Sequence, residues 1–145
     1  MAANLPLGVD GAASNEGADL AAEVHQALLT ARMRAALQGR EDAAHTMDSR
    51  TAWRLATRGG ADCLGRDDCG GLDEGKCADI ACFRIDDLAH AGIADPLVAL
   101  ALAPASRAET VVVNGRVVVR EGRLLTADEA EIARELAATS ARLRG

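Results

Sequence analysis

The sequence predicts an α/β fold, and three observations carry that reading. An apolar run from Leu5 to Val9 closes on Asp10-Gly11, and a small-residue turn then leads into a helical pattern from Leu20. That is the order of a buried strand feeding a helix. Further on, Val111 to Val119 sets two β-branched runs on either side of Asn114-Gly115, the preferred two-residue hairpin turn. Between them, a Gly-rich and acidic stretch from Arg66 to Gly75 marks a boundary near Gly70 to Gly75 between an α-rich first half and a β-rich second half.

In order, the first element is the Leu5 to Val9 strand. Asp10-Gly11 after it is a turn signal, because Asp bonds its own downstream backbone and Gly accepts positive φ. A carboxylate at the C-terminal end of a parallel strand also stands where α/β barrels place catalytic groups and metal ligands. The local pattern alone leaves both readings open. Leu20 to Gln38 follows, with Leu20, Val24, Leu28 and Ala31 at helical intervals and Leu29, Met33 and Leu37 widening the stripe; Gly39 ends it. Asp48 is an N-cap for a second helix, Ser49 to Arg58, which Gly59-Gly60 would end. Trp53 is its large aromatic.

Ala78 to Phe83 has the length and apolarity of a strand, and the Gly75-Lys76 turn before it lacks the ending of a phosphate-binding loop. After the hairpin, Thr126 and Glu129 form a capping box opening a C-terminal helix that carries Ile132, Leu136 and Leu143. That helix is expected to pack onto something. The expected order is strand, two helices, strands, hairpin, helix, divided as residues 1–70, 71–125 and 126–145.

Bulk properties exclude several function classes. The 145 residues are 49% hydrophobic, enough for one globular core. A net charge of -6 and a pI near 5.0 argue against nucleic-acid binding, which needs a clustered excess of Lys and Arg. No basic segment precedes the first apolar residues, and the longest apolar run, Leu97 to Ala105 with Pro104 inside it, is far short of the ~20 residues of a membrane helix. A cytoplasmic protein without membrane partners is expected.

Cys63, Cys69, Cys77 and Cys82 are separated by five, seven and four residues, and no Cys-x-x-Cys or paired His completes a zinc motif. They read as reduced thiols packed as small hydrophobes, Cys82 most clearly among its apolar neighbours. His25 reads as a boundary or surface residue beside the first helix's stripe.

Gly8-Val9-Asp10-Gly11-Ala12-Ala13-Ser14-Asn15, with the helix from Leu20 to Leu29 behind it, resembles the last barrel strand of amidohydrolase-superfamily deaminases. Three further blocks agree in order: Leu55 to Gly60, Leu72 to Ile80, and Val111 to Val118. Within the superfamily, the Asp10 block and the tail from Asp95-Pro96 to Arg123 are most similar to 8-oxoguanine deaminases and hydroxyatrazine hydrolases.

The resemblance implies the C-terminal fragment of a (β/α)8 metal-dependent hydrolase barrel, namely its last strand and helices. Part of a small β-sandwich and a C-terminal helix would follow. It implies that Asp10 binds a divalent metal, zinc or else iron, and acts as base and then acid in hydrolytic deamination of a purine-like ring. The partner would be a small heterocyclic substrate, and the full-length parent would be a homo-oligomer.

A closed barrel takes about 250 residues, and relatives carry a His-x-His pair early in the chain. Here His25, His45 and His90 are isolated, and Asp10 alone cannot hold a catalytic zinc, which takes about three protein ligands plus water. The 145-residue chain is therefore expected to be inactive by itself. Ser14 and Asn15 would either orient Asp10 or cap backbone. The competing readings are a triazine amidohydrolase of the same fold and a non-catalytic α+β assembly module.

Overall fold

The computed structural model describes residues 6–11, 13–15, 17–105 and 107–144. Contacts divide the chain into two compact units, Met1–Cys77 with Arg84–Ser106, and Ala78–Phe83 with Arg107–Gly145.

The first unit is helical. Helix α1 (Leu20–Leu37) opens on Asp19, whose carboxylate accepts the amides of Ala21 and Ala22 at 2.9 and 3.3 Å. It closes at Gly39, φ 72°: the Gly39 amide bonds the Ala36 carbonyl and the Arg40 amide bonds Ala35, the paired pattern of a Schellman motif. Helix α2 (Ser49–Ala56) is capped by Asp48, which accepts from the Thr51 amide at 2.6 Å. Helix α3 (Arg58–Cys63) follows directly, so Gly59-Gly60 lies inside a helix and does not end α2. The break falls at Thr57, whose hydroxyl donates back to the Trp53 carbonyl at 2.9 Å and whose φ and ψ of -113° and -85° leave the helical region.

The apolar run at Leu97 forms helix α4 (Pro96–Leu102), which the sequence reading missed. Its start signals are orthodox: Asp95 accepts the Leu97 amide at 2.9 Å, and Pro96 stands at the first helical position, where its missing N–H costs nothing.

Val24, Leu28, Ala52 and Ala101 form the core where α1, α2 and α4 meet, and Leu7, Met47, Trp53 and Ala56 pack around it. Alanine at the contacts of α2 and α4 lets backbones approach, while Leu28 and Val24 are the large side chains wholly removed from water. Burial of each contributes about 1.5–3 kcal/mol. The Trp53 indole N–H reaches the Leu97 carbonyl at 3.3 Å and joins α2 to α4.

The buried face of α1 is narrower than its sequence stripe. Ala21, Val24, Leu28 and Ala35 are buried, whereas Leu29, Met33 and Leu37 are exposed, Leu37 by 82%. Among the described residues, the covered side of α1 faces α2, α4 and the 3-10 turn Ala43–His45.

The second unit is an antiparallel four-stranded sheet in the order β1-β2-β3-β4, with helix α5 (Glu129–Arg144) after it. Strand β1 (Ile80–Cys82) is shorter than the expected Ala78 to Phe83 and pairs with β2 (Thr110–Val113), Ala81 opposite Val111. Strand β2 turns through Asn114 and Gly115, φ 47° and 77°, into β3 (Arg116–Arg120). Both central residues at positive φ are the type I′ turn that Asn-Gly selects. Asp79 steadies it by accepting the Asn114 amide at 2.7 Å. A bulge between Val111 and Val112 shifts the register. Glu121 and Gly122, φ 51° and 70°, form a second tight turn into β4 (Arg123–Leu124), which the sequence reading did not anticipate.

The capping box is not formed. Asp128 caps α5, accepting the amides of Ala130 and Glu131 at 2.9 and 3.1 Å, so the helix starts three residues after Thr126. Glu129 is engaged elsewhere, by the Arg107 guanidinium at 3.1 and 3.3 Å. Nor does α5 pack as expected: none of its described residues is buried, and Leu136 is 69% exposed.

Candidate functional site

Leu5 lies outside the described residues, and Pro6 to Gly11 forms no regular strand. A strand needs a neighbouring strand to bond, and this segment instead bonds a helix, the Leu55 carbonyl of α2 accepting the Leu7 amide at 3.2 Å. The chain then reaches Asp10 in the left-handed region, φ 59°, a conformation that Asp tolerates better than most side chains. The Asp10 carboxylate is exposed and accepts the Gly11 amide at 2.8 Å through Oδ1. The turn reading is thus met by one oxygen of the carboxylate, Oδ1.

Behind Asp10, the Gly11 carbonyl accepts the amides of Ser14 and Asn15 at 2.9 and 3.0 Å. The Asn15 side chain spans the end of this loop. Its Oδ1 accepts the Gly17 amide at 3.1 Å, and its Nδ2 donates to Glu23 Oε1 at 2.6 Å. Glu23 was not singled out from the sequence, because nothing in a spacing of eight residues across a turn signals a contact.

The three histidines are not brought to Asp10. Nδ1 of His25 bonds the Ala101 carbonyl at 2.8 Å, near the end of α4, and His45 is exposed in a 3-10 turn, Ala43–His45. His90 is buried, with Nδ1 2.5 Å from Asp87 Oδ1 and Nε2 2.7 Å from the Ala103 carbonyl. These bonds, the Ala103 carbonyl first, raise its pKa above the usual histidine value.

The four cysteines are not packed as expected. Cys63 and Cys82 are exposed and Cys69 and Cys77 half-buried. Cys82 fails the expectation because β1 is an edge strand with a neighbour on one side only. Around Cys77, Arg66 grips Asp68 through two bonds of 2.8 and 2.7 Å, and that guanidinium holds the Asp68 carboxyl down to about 2.

Among the described residues no three His, Cys, Asp or Glu side chains are grouped to hold a metal ion. The Asp10 carboxylate suits a divalent cation in kind, being a hard oxygen donor open to solvent, but among the described residues it belongs to no group of three such donors. A metal centre is not complete within these residues.

The amidohydrolase family model matches residues 2–118. The chain is 42% identical, over 144 residues, to an 8-oxoguanine deaminase of Pseudomonas aeruginosa, covering 99% of this chain and 30% of that one. It is 35% identical over 131 residues to a hydroxydechloroatrazine ethylaminohydrolase of Pseudomonas sp. strain ADP, covering 88% of this chain and 26% of that one.

Among solved structures, a zinc complex of the atrazine chlorohydrolase TrzN from Arthrobacter aurescens TC1 superposes with a TM-score of 0.79 at 39% identity, over 88% of this chain and 28% of that one. A zinc-bound adenosine deaminase from Xanthomonas campestris superposes with a TM-score of 0.83 at 28% identity, over 97% and 31%.

These relatives are hydrolases of C–N bonds or of a triazine substituent, on an α/β fold. The chain belongs to the amidohydrolase family. It spans about a third of the length of the relatives it matches. No described helix is long and apolar enough to cross a membrane.

Proposed function

We propose that this chain is the C-terminal part of a metal-dependent aminohydrolase that deaminates a purine-like ring of the 8-oxoguanine type. The observation that carries the reading is 42% identity to an 8-oxoguanine deaminase over nearly the whole chain, with the Asp10 block inside the matched family region. In this reading residues 1–70 complete a (β/α)8 barrel, residues 71–125 contribute to a small β-sandwich, and residues 126–145 form the terminal helix.

Asp10 is the residue assigned to the chemistry, as metal ligand and as proton carrier. A divalent metal, zinc by the content of the structural relatives, would supply the lowered pKa of a water, toward ~7. The carboxylate of Asp10 takes the proton of the attacking water and returns it to the departing amine. Its Oδ1 is already bonded by the Gly11 amide, which orients the group and leaves Oδ2 for ligation and proton transfer. With one ligand, the 145-residue chain alone is inactive in this reading.

A triazine hydrolase is the second reading, supported by 39% identity to the atrazine chlorohydrolase. The two readings differ in the substrate pocket, and both assign the same role to Asp10. The test is to express the longest reading frame that contains this chain, then measure bound metal and ammonia release with 8-oxoguanine and alkylamine release with hydroxyatrazine. Asp10→Asn should lose about 10²- to 10⁴-fold in turnover, the usual contribution of a general acid–base group. Full turnover in that variant would remove Asp10 from the mechanism, and turnover of the triazine alone would select the second reading.

A further inference from the structure

We propose that Asn15 is a positioning residue for Asp10, acting through Glu23 of α1; the inference rests on the aminohydrolase reading above. Asp10 sits at φ 59°, a conformation that costs a non-glycine residue energy and persists only when its surroundings over-determine it. Both flanks are held. Upstream, the Leu7 amide is fixed to the Leu55 carbonyl of α2. Downstream, the Gly11 carbonyl is held by the amides of Ser14 and Asn15, so the place of Asn15 sets the orientation of the peptide after Gly11, one residue beyond Asp10.

Asn15 is itself tied down by its side chain. The amide bridges the Gly17 N–H and the Glu23 carboxylate, and the 2.6 Å bond to a charged acceptor is the short, strong kind. Glu23 stands in the first turn of a helix capped by Asp19 and buried at Val24 and Leu28. The loop bearing Asp10 is thereby anchored to a capped helix whose inner face is buried. Ser14, the other residue expected to orient Asp10, is exposed and contributes its backbone amide to the turn.

The pair can be inverted without changing its shape. Asn15→Asp alone sets two carboxylates against each other, while Asn15→Asp with Glu23→Gln restores one donor and one acceptor. Glu23→Gln alone still offers an oxygen to the Asn15 amide. In the zinc-loaded longest reading frame, Asn15→Asp should lower kcat about tenfold with KM nearly unchanged, the signature of a misplaced group whose substrate site is intact. It should also release zinc faster to a chelator, and the double variant should recover both properties. Glu23→Gln alone, which keeps an acceptor oxygen but loses its charge, should lower kcat less than Asn15→Asp does.

Unchanged kcat and zinc retention in Asn15→Asp, beside an inactive Asp10→Asn, would overturn the positioning role and leave the aminohydrolase reading standing. A fully active Asp10→Asn would remove both. Should Asn15→Asp fail to fold, Glu23→Ala removes the acceptor without adding charge; it should shift kcat in the same direction, and native kcat there would equally overturn the proposal.

Discussion

His90 and Asp87 meet at 2.5 Å, Nδ1 to Oδ1, with the His90 side chain buried and the Asp87 side chain largely in solvent. The other ring nitrogen of His90 faces the Ala103 carbonyl. A carboxylate and a carbonyl only accept, so this arrangement favours the doubly protonated, charged ring of His90. It ties the segment from Asp87 to the C-terminal end of α4, where a positive charge is favoured by the helix dipole. The Asp86 carboxylate, itself paired with Arg84, adds to the attraction.

Stability should therefore depend on pH in a defined direction. The pKa of His90 is raised in the fold above its unfolded value near 6.5, so its contribution is complete below about 6.5 and lost as pH rises through the folded pKa. Thermal unfolding of the native chain and of His90→Gln should differ most at acid pH and converge at alkaline pH. A pH-independent difference would mean that His90 acts through packing alone.

Leu28→Ala tests the core directly. Leu28 is wholly buried between α1 and its neighbours, so removing it should cost about 2–5 kcal/mol in denaturant unfolding. The same change at exposed Leu37 should have little effect.

Gly70 combines positive φ, 77°, with crowding: a Cβ there would lie 2.8 Å from the Ala61 Cβ and 3.2 Å from the Thr57 carbonyl oxygen. Gly70→Ala should destabilise by about 1–3 kcal/mol, because left-handed strain and overpacking act together. Equal stability by chemical denaturation would show that α3 yields.

Thiol reactivity should rank with exposure. A small thiol reagent should modify Cys63 and Cys82 in the folded protein before Cys69 and Cys77. Mass mapping of partially modified protein reads the order, and prior labelling of Cys69 would contradict it.

The Asn114-Gly115 hairpin, the Asp48 cap and the Gly39 stop were legible in the chain because each is decided within four or five residues. Asp10 was legible as a residue of interest through its block, yet Glu23 was not, since its contact with Asn15 depends on how the loop folds back over α1. The start signal of helix α4 stands in Asp95-Pro96, ahead of a run whose continuous apolarity carries no helical period.

The sequence by itself determined the Asn114-Gly115 hairpin, the Asp48 cap, the Gly39 stop and the family, because turn conformation, capping and motif order are written in neighbouring residues. Only the tertiary structure decided which cap won at Asp128, which side of α1 was covered, and what His25 and His90 bond. Those outcomes are competitions between groups distant in the chain, settled by which partners packing brings within hydrogen-bond reach.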